Sequence, residues 1–245
     1  MSDKILIIPE KSDSETQDVA ACWTNRGGLV IKLGKYWVKN DDILFKKLVV
    51  YGNQTFSLVL AQIYELELIS PDDSLIATLD HKWLKRDVQL TRLENLSSQN
   101  FPVFIKPAVP KQFQAAVFQS YAGIESITNG LPGNEPVLVS EVITDIRAEA
   151  RAYVLNGVIK DIALYEGTGD LEQATRFLES FLAINAKTVP DTVIIDLADS
   201  TERGWFLLEF NACWGGGLNN CKAEKVIDCI EAATKNKTKS ATLNI

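Results

Sequence analysis

Two polar side chains interrupt an apolar run near the end of the chain, at residues 207–211. Glu209 and Asn211 are two residues apart, so a β-strand would place both side chains on the same face. A carboxylate and an amide oxygen are hard ligands of the kind that Mg²⁺ accepts. The spacing therefore predicts part of a metal site, although an edge strand with a polar face would show the same pattern.

A second acid, Asp196, lies inside the apolar run 193–198. The polar stretch 199–204 ends in glycine and predicts a turn, and a hairpin folded there places Asp196 opposite Glu209. Cross-strand neighbours on one face approach to about 5 Å. Burying two carboxylates side by side is unfavourable without a cation. We therefore predict that Asp196, Glu209 and Asn211 bind Mg²⁺; the alternative is a pair of acids on a solvated sheet face.

The composition limits the classes of function. The chain has 245 residues, of which 46% are hydrophobic and 23% charged, which suits one large or two small domains with a substantial core. A formal net charge of -7 argues against general nucleic-acid binding. No apolar run approaches the roughly 20 residues that span a bilayer, and the first residues do not resemble a signal peptide. We expect a cytoplasmic protein that does not bind membranes.

The cysteines and the single histidine exclude other chemistry. Cys22, Cys213, Cys221 and Cys229 have no C-x-x-C spacing, so no zinc site is indicated, and we expect free thiols. Cys213 is expected to be a small buried residue rather than a nucleophile. His81 is expected at the surface or at a helix start. Histidine-dependent triads and histidine-rich metal sites are therefore disfavoured.

The first third of the chain predicts alternating strands and helices. An apolar strand, a capped buried helix and a further strand over about 25 residues are typical of a βαβ unit on a parallel sheet. The predicted elements are strands at 4–8, 48–52 and 66–69, a helix at 56–64, and a hairpin that joins 29–33 to 36–39.

The remainder alternates differently. A helical pattern runs from Ser74 to Ser98 and contains Arg86. Apolar strands follow at 101–107 and 137–143, and helices are predicted at 170–186 and 222–235. Strict alternation over 147–160 predicts a hairpin, because it surrounds Asn-Gly, the strongest short hairpin signal.

Three cations occupy positions that suit an anion. Lys106 ends an apolar strand and can reach a phosphate, or equally extend to water. The predicted hairpin places Lys160 opposite Tyr153 and near Arg151. A guanidinium beside an ammonium suits phosphate oxygens, although an ordinary solvated face with paired charges would also fit.

The order of these features resembles the ATP-grasp superfamily, and most of all a sparsely characterised group of small ATP-grasp proteins of bacteria and their phages. The matching segments are 104–107, 138–142, 149–154, 195–196 and 208–211. The resemblance implies a mixed α+β and α/β chain with a small α/β domain at 1–74 and an ATP-grasp domain at 75–245. Within the latter, a small lobe at about 100–140 and a C-terminal lobe at about 141–235 would grip ATP.

The resemblance also implies roles for single residues. Lys106 matches the lysine on the α- and β-phosphates, and Arg151 the cation near the γ-phosphate and the acyl-phosphate. Asp196, Glu209 and Asn211 match the ligands of Mg²⁺. The hinge that reads adenine and ribose corresponds to Ser140, Glu141 and Val142.

Other family features match less closely. The nearest counterpart of an earlier phosphate-binding lysine is Arg86 or Lys85, and Lys160 is a further candidate for nucleotide binding. The usual glycine-rich phosphate lid is not recognisable; residues 108–123, with Lys111, take its place.

The implied activity is an ATP- and Mg²⁺-dependent carboxylate–amine ligase that acts through an acyl-phosphate. Its substrates would be a small-molecule or peptide carboxylate and an amine, and a homodimer is one expected assembly. Two alternatives remain: a kinase on the same scaffold that phosphorylates a hydroxyl, and a non-catalytic module that binds nucleotides or partners.

Overall fold

The N-terminal part of the chain contains a parallel three-stranded sheet. A computed structural model describes residues 4–44, 46–97, 101–109 and 112–236. The sheet has the order β2-β1-β3 and both pairings are parallel. Its strands are β1 (Lys4–Pro9), β2 (Leu29–Leu33) and β3 (Lys47–Val50), connected by the helix α1 (Ser14–Asn25) and followed by α2 (Gln54–Tyr64).

Side-chain caps define where the two helices start. The Asp13 carboxylate accepts the Thr16 amide at 2.8 Å, and the Asn53 side chain accepts the Phe56 amide at 3.1 Å. Each bond satisfies an amide that the first turn of a helix leaves unpaired. The helix α2 ends at Glu65, which has a left-handed φ of 54°.

Two expectations for this region are wrong. Residues 36–39 form no strand, and β2 pairs in parallel with β1 instead of forming a hairpin. The strand β4 (Leu66–Leu68) follows α2 as expected but does not join the parallel sheet. It pairs antiparallel with β13 (Thr234–Asn236), near the other end of the chain, so the predicted βαβ unit does not form.

A small antiparallel sheet comes next in the chain. It has the order β5-β8-β6-β7 and consists of β5 (Val88–Arg92), β6 (Val103–Pro107), β7 (Ala116–Phe118) and β8 (Pro136–Ser140). The helix α4 (Tyr121–Thr128) leads from β7 towards β8.

The helical pattern expected from Ser74 to Ser98 is wrong over most of its length. The only α-helix described there is the four-residue α3 (His81–Leu84), with 3-10 turns at Leu75–Thr78 and Leu93–Asn95. The strand β5 forms because it pairs with β8, a partner about 50 residues further along the chain. Helical spacing of Leu75 and Trp83 does agree with the burial of both side chains.

The large sheet carries most of the core. Its order is β10-β9-β11-β12, all antiparallel, with β9 (Ile146–Leu155), β10 (Val158–Gly167), β11 (Thr192–Ser200) and β12 (Gly204–Asn211). The helices α5 (Leu171–Asn185) and α6 (Ala223–Ala232) form as predicted, to within a few residues. They cover opposite faces of the sheet, because Val154 and Ile195 pack with α5 whereas Tyr153 and Ile194 pack with α6.

The N-terminal sheet and α6 share one hydrophobic core. Leu6, Val19 and Val49 pack in the same cluster as Val226 and Ile230. The boundary predicted at residue 74 stays a prediction. Within the described ranges, no helix is both long enough and apolar enough to cross a bilayer.

Candidate functional site

A cavity of about 360 Å³ lies between the small sheet and the large sheet. Its apolar walls come from both sheets and include Phe104, Val117, Leu138, Phe206 and Leu208. An apolar slot with a few convergent polar groups is the usual form of a small-molecule site. Six of the residues singled out from the sequence line it: Arg86, Lys106, Ser140, Glu141, Val142 and Glu209.

Lys106 and Glu209 face each other across the cavity. The Lys106 Nζ lies 3.5 Å from the Glu209 Oε2, and the two side chains are 30% and 39% exposed. At this separation and exposure the contact is weak. Both groups are therefore accessible to a ligand in the cavity, one as a cation and one as an oxygen donor.

The strand β8 ends at the residues that were predicted to form the hinge. The Ser140 hydroxyl accepts a hydrogen bond from Arg86 Nε at 3.0 Å. Beside it, the Glu141 carboxylate accepts hydrogen bonds from Arg203 Nη1 at 3.0 Å and Nη2 at 2.5 Å. The hydrogen bonds from Arg203 hold the pKa of Glu141 below its usual value.

Arg86 is buried, at 6% exposure, and its guanidinium points at protein groups. Besides its bond to Ser140, it donates to the Leu207 carbonyl at 2.6 Å and to the Leu208 carbonyl at 2.9 Å. Burial lowers its pKa to about 10. These bonds tie the hinge to β12 just before Glu209, so the structure gives Arg86 a positioning role; phosphate binding by Arg86 or Lys85 stays a prediction.

The predicted hairpin register is confirmed at the position that matters for metal binding. Asp196 pairs with Glu209 across β11 and β12, beside an irregularity between Asp196 and Leu197. The Asn211 amide nitrogen lies 3.0 Å from Asp196 Oδ2 and 2.9 Å from Glu209 Oε1. The three side chains therefore converge, as the spacing predicted.

Arg151 completes this group from the neighbouring strand. It pairs with Asp196 in the register of β9 and β11, and its Nε and Nη2 donate to the two Asp196 oxygens at 2.8 and 2.7 Å. Burial opposes the charge on Arg151, but the hydrogen bonds and charge of Asp196 outweigh burial and raise its pKa. Asp196 is 1% exposed, so Arg151 replaces water as its solvating group.

The donor set fits a divalent cation. Two carboxylates and an amide supply oxygen ligands of the hard type that Mg²⁺ takes. Each carboxylate oxygen keeps a lone pair beyond its bond to Arg151 or Asn211. Among the described residues there is no cluster of three or more His, Cys, Asp or Glu side chains, and the predicted set indeed contains only two carboxylates. Metal binding by Asp196, Glu209 and Asn211 stays a prediction.

The predicted pairing of Lys160 is wrong. A register shift between Ile159 and Asp161 leaves Asp161, and not Lys160, opposite Tyr153. Asp161 instead accepts the Lys222 amide and the Lys225 ammonium at 2.7 and 2.8 Å. Lys160 is not among the residues that line the cavity.

Sequence reasoning assigned no role to two other residues of the cavity wall. The Tyr165 hydroxyl donates to the Glu149 carboxylate at 2.5 Å, and the Arg151 guanidinium lies 5.8 Å from the centre of the Tyr165 ring. Alternation along β9 placed Glu149 on the face of Arg151. Tyr165 gave no comparable signal, because its position depends on the irregular register of β10.

The region that was expected to act as a phosphate lid is partly described. It includes β7, whose Val117 lines the cavity, and Lys111 lies outside the described residues. His81 starts a short helix with a 68% exposed side chain, and all four cysteines are free, as expected.

Comparison with known families decides the classification. Residues 83–229 match the model of an ATP-grasp domain family, the one numbered 2 within its clade. The chain belongs to this ATP-grasp family. The matched segment contains every residue that was predicted to bind the nucleotide or metal. No curated protein sequence is significantly similar to the chain.

Solved structures share the fold of this ATP-grasp protein. A RimK domain ATP-grasp protein from Sphaerobacter thermophilus matches with a TM-score of 0.57 and 12% identity, covering 94% of this chain and 98% of the other. An L-amino acid ligase from Bacillus licheniformis matches with a TM-score of 0.59 and 10% identity, over 94% and 73%. D-alanine–D-alanine ligase from Bacillus anthracis, complexed with ATP, matches with a TM-score of 0.52 and 15% identity, over 94% and 96%. At these identities the likeness shows the ATP-grasp fold.

Proposed function

We propose that this protein is an ATP- and Mg²⁺-dependent, ADP-forming ligase that joins a carboxylate to an amine through an acyl-phosphate. The observation that carries the proposal is the row formed by Arg151, Asp196 and Glu209 on three neighbouring strands, which ends at the cavity where Glu209 meets Lys106. Two similar structures are named as amino-acid ligases, and one of these is complexed with ATP, which supports the same class of reaction here.

The arrangement suits phosphoryl transfer. Such a reaction depends on positioning and on charge neutralisation at the transferred group more than on a general base. Lys106 and Arg151 supply fixed positive charge on either side of Glu209, and the only histidine of the chain is an exposed residue of α3. Mg²⁺ bound by Asp196, Glu209 and Asn211 would neutralise phosphate oxygens. The cavity between the sheets would hold the nucleoside, with Ser140, Glu141 and Val142 at its edge.

The substrates are proposed by class only. A carboxylic acid would receive the γ-phosphoryl group, and the amine of a small molecule or peptide would then displace phosphate from the acyl-phosphate. The glycines at 215–217 follow β12 directly and leave backbone free of side chains beside the reacting groups.

The test is ADP release in the presence of ATP, Mg²⁺ and mixtures of candidate acids and amines, with hydroxylamine added to trap an acyl-phosphate as a hydroxamate. Glu209→Gln should reduce turnover by about 10²–10³-fold, the usual effect of removing one electrostatic contact to the transferred group. The exposed α5 variant Glu179→Gln is the matched control and should keep wild-type turnover. Asp196→Asn is a second variant, read together with an unfolding curve because Asp196 is buried against Arg151.

Three outcomes would reject the ligase. Full nucleotide turnover by both Glu209→Gln and Asp196→Asn would contradict the metal assignment. A stable phosphorylated hydroxyl product without condensation would identify a kinase. ATP binding by calorimetry without ADP formation over hours, for every acid and amine tried, would identify a non-catalytic nucleotide-binding module.

A further inference from the structure

The turn between β11 and β12 is attached to the edge of the nucleotide cavity through Arg203. This side chain meets both carboxylate oxygens of Glu141, with Nη1 3.0 Å from Oε2 and Nη2 2.5 Å from Oε1. Arg203 belongs to the large sheet, whereas Glu141 directly follows β8 of the small sheet. The two-point contact therefore joins the two sheets at the side of the cavity where Glu141 lines it.

Arg203 is itself held at both its side chain and its backbone. Its Nη1 also donates to the Lys85 carbonyl at 2.6 Å, and the Lys85 ammonium donates in return to the Arg203 carbonyl at 2.6 Å. The same turn is fixed from a third side, because the Asp145 carboxylate accepts the Glu202 amide at 2.9 Å. The guanidinium therefore has a defined position and can impose one on Glu141.

A planar guanidinium that binds a carboxylate at two points fixes its orientation, which a single ammonium does not. Each Glu141 oxygen keeps a lone pair that Arg203 does not use. The oriented carboxylate can thus accept a further hydrogen bond from a donor inside the cavity.

We propose that Arg203 is a positioning residue for nucleotide binding, which fixes Glu141 so that its carboxylate accepts a hydrogen bond from a hydroxyl or amino donor of the bound nucleoside. The inference rests on the proposed function, since it takes ATP as the occupant of the cavity. It adds a residue from the opposite sheet, about 60 positions away from Glu141 in sequence, to the nucleotide-binding machinery.

A purely structural role for the pair makes a different prediction. Arg203 and Glu141 are 32% and 39% exposed, and ion pairs at such exposure contribute little to stability. Loss of the pair should therefore leave the melting temperature nearly unchanged, so that an effect on nucleotide affinity is measurable in a folded protein.

The experiment is a double-mutant cycle with Arg203→Gln, Glu141→Gln and both substitutions together, read as the Kd of Mg²⁺–ATP by calorimetry. Each single variant should bind ATP about tenfold more weakly, equivalent to about 1.4 kcal/mol, and the double variant should bind no more weakly than either. The same three proteins are titrated with 2′-deoxy-ATP and with inosine triphosphate. A discrimination that narrows only for the deoxynucleotide identifies the ribose as donor, and one that narrows only for inosine identifies the amino group.

Three further variants serve as controls. Arg203→Lys keeps the charge without the two-point geometry and should recover only part of the affinity. Lys85→Met removes the bond to the Arg203 carbonyl but leaves the guanidinium on Glu141, so nucleotide discrimination should persist. Arg176→Gln breaks the exposed Arg176–Glu172 pair on α5 and should leave the Kd of ATP unchanged.

Additive losses in the cycle, or an unchanged Kd for Arg203→Gln, would overturn the inference while leaving the proposed ligase intact. A wild-type protein that binds no ATP would instead overturn the proposed function and this inference with it. The two failures are therefore distinguished by the wild-type titration alone.

Discussion

Arg151 and Asp196 lie opposite each other on neighbouring strands and are joined by two hydrogen bonds, of 2.8 and 2.7 Å. Both residues are buried, at 9% and 1% exposure. The third contact of Arg151, from Nη1 to the Gly217 carbonyl at 2.8 Å, extends the pair to the glycine-rich segment after β12. One guanidinium thus satisfies a buried carboxylate and fixes the backbone beside it.

Replacement of Arg151 by methionine should be strongly destabilising, because it leaves the Asp196 carboxylate buried without its cation. The expected loss in the free energy of unfolding is about 3–5 kcal/mol, measured by urea denaturation. Arg176→Met, which breaks an exposed pair on α5, should cost less than about 1 kcal/mol. Equal losses for the two variants would show that the Arg151–Asp196 pair does not contribute as its burial indicates.

The metal-site hairpin was predictable because its information is local. A polar turn at 199–204 and apolar runs on both sides fix the strand direction, and the short distance to Asp196 leaves little room for a register error. The irregularity between Asp196 and Leu197 shifts the pairs nearer the turn by one residue, but the pairing of Asp196 with Glu209 is the predicted one. The roles of single ligands at this site stay predictions.

The errors arose where the register or pairing depends on distant residues. The register shift near Lys160 has no signature in the alternating sequence, and it moved Asp161 to the position expected for Lys160. The strand β5 was taken for part of a helix because its partner β8 is remote in sequence. Arg203 was taken for a turn residue only, since its contact with Glu141 requires the two sheets to be assembled.

Replacement of Lys106 by methionine should weaken ATP binding without unfolding the protein. The side chain is 30% exposed and its only described ionic partner, Glu209, is 3.5 Å away, so little stability depends on it. Loss of a charged hydrogen bond to phosphate should raise the Kd by about 10- to 100-fold, as measured by calorimetry. The exposed Lys187→Met variant is the charge-matched control. If both variants bind ATP as tightly as the wild type, Lys106 does not contact the phosphates.

The four cysteines should differ sharply in reactivity towards a disulfide reagent. Cys213, Cys221 and Cys229 are at most 4% exposed, and Cys22 is only partly buried. Burial raises the pKa of Cys221 to about 12 and that of Cys213 well above its usual value. Since the thiolate is the reactive form, a raised pKa lowers the reactive fraction at neutral pH.

One thiol, Cys22, should therefore react in the native protein at pH 8 and all four in urea, as counted by absorbance. Burial also raises the pKa of Cys22, so its rate should continue to increase above pH 9. Cys22→Ser should abolish the fast native phase. A fast phase that survives this substitution would show that one of the three buried thiols is accessible.

Two glycines with positive φ should respond differently to alanine. Gly27 has a φ of 81° and no atom within 4 Å of an added Cβ, so Gly27→Ala should cost only the strain of a left-handed residue, about 1–2 kcal/mol. Gly167 has a φ of 67°, and an added Cβ would lie 2.0 Å from the Arg147 carbonyl oxygen. The backbone at the end of β10 must then move, and the expected loss is about 3 kcal/mol or more. Urea unfolding of both variants measures the difference, and equal losses would mean that β10 and β9 separate at this end without a large cost in free energy.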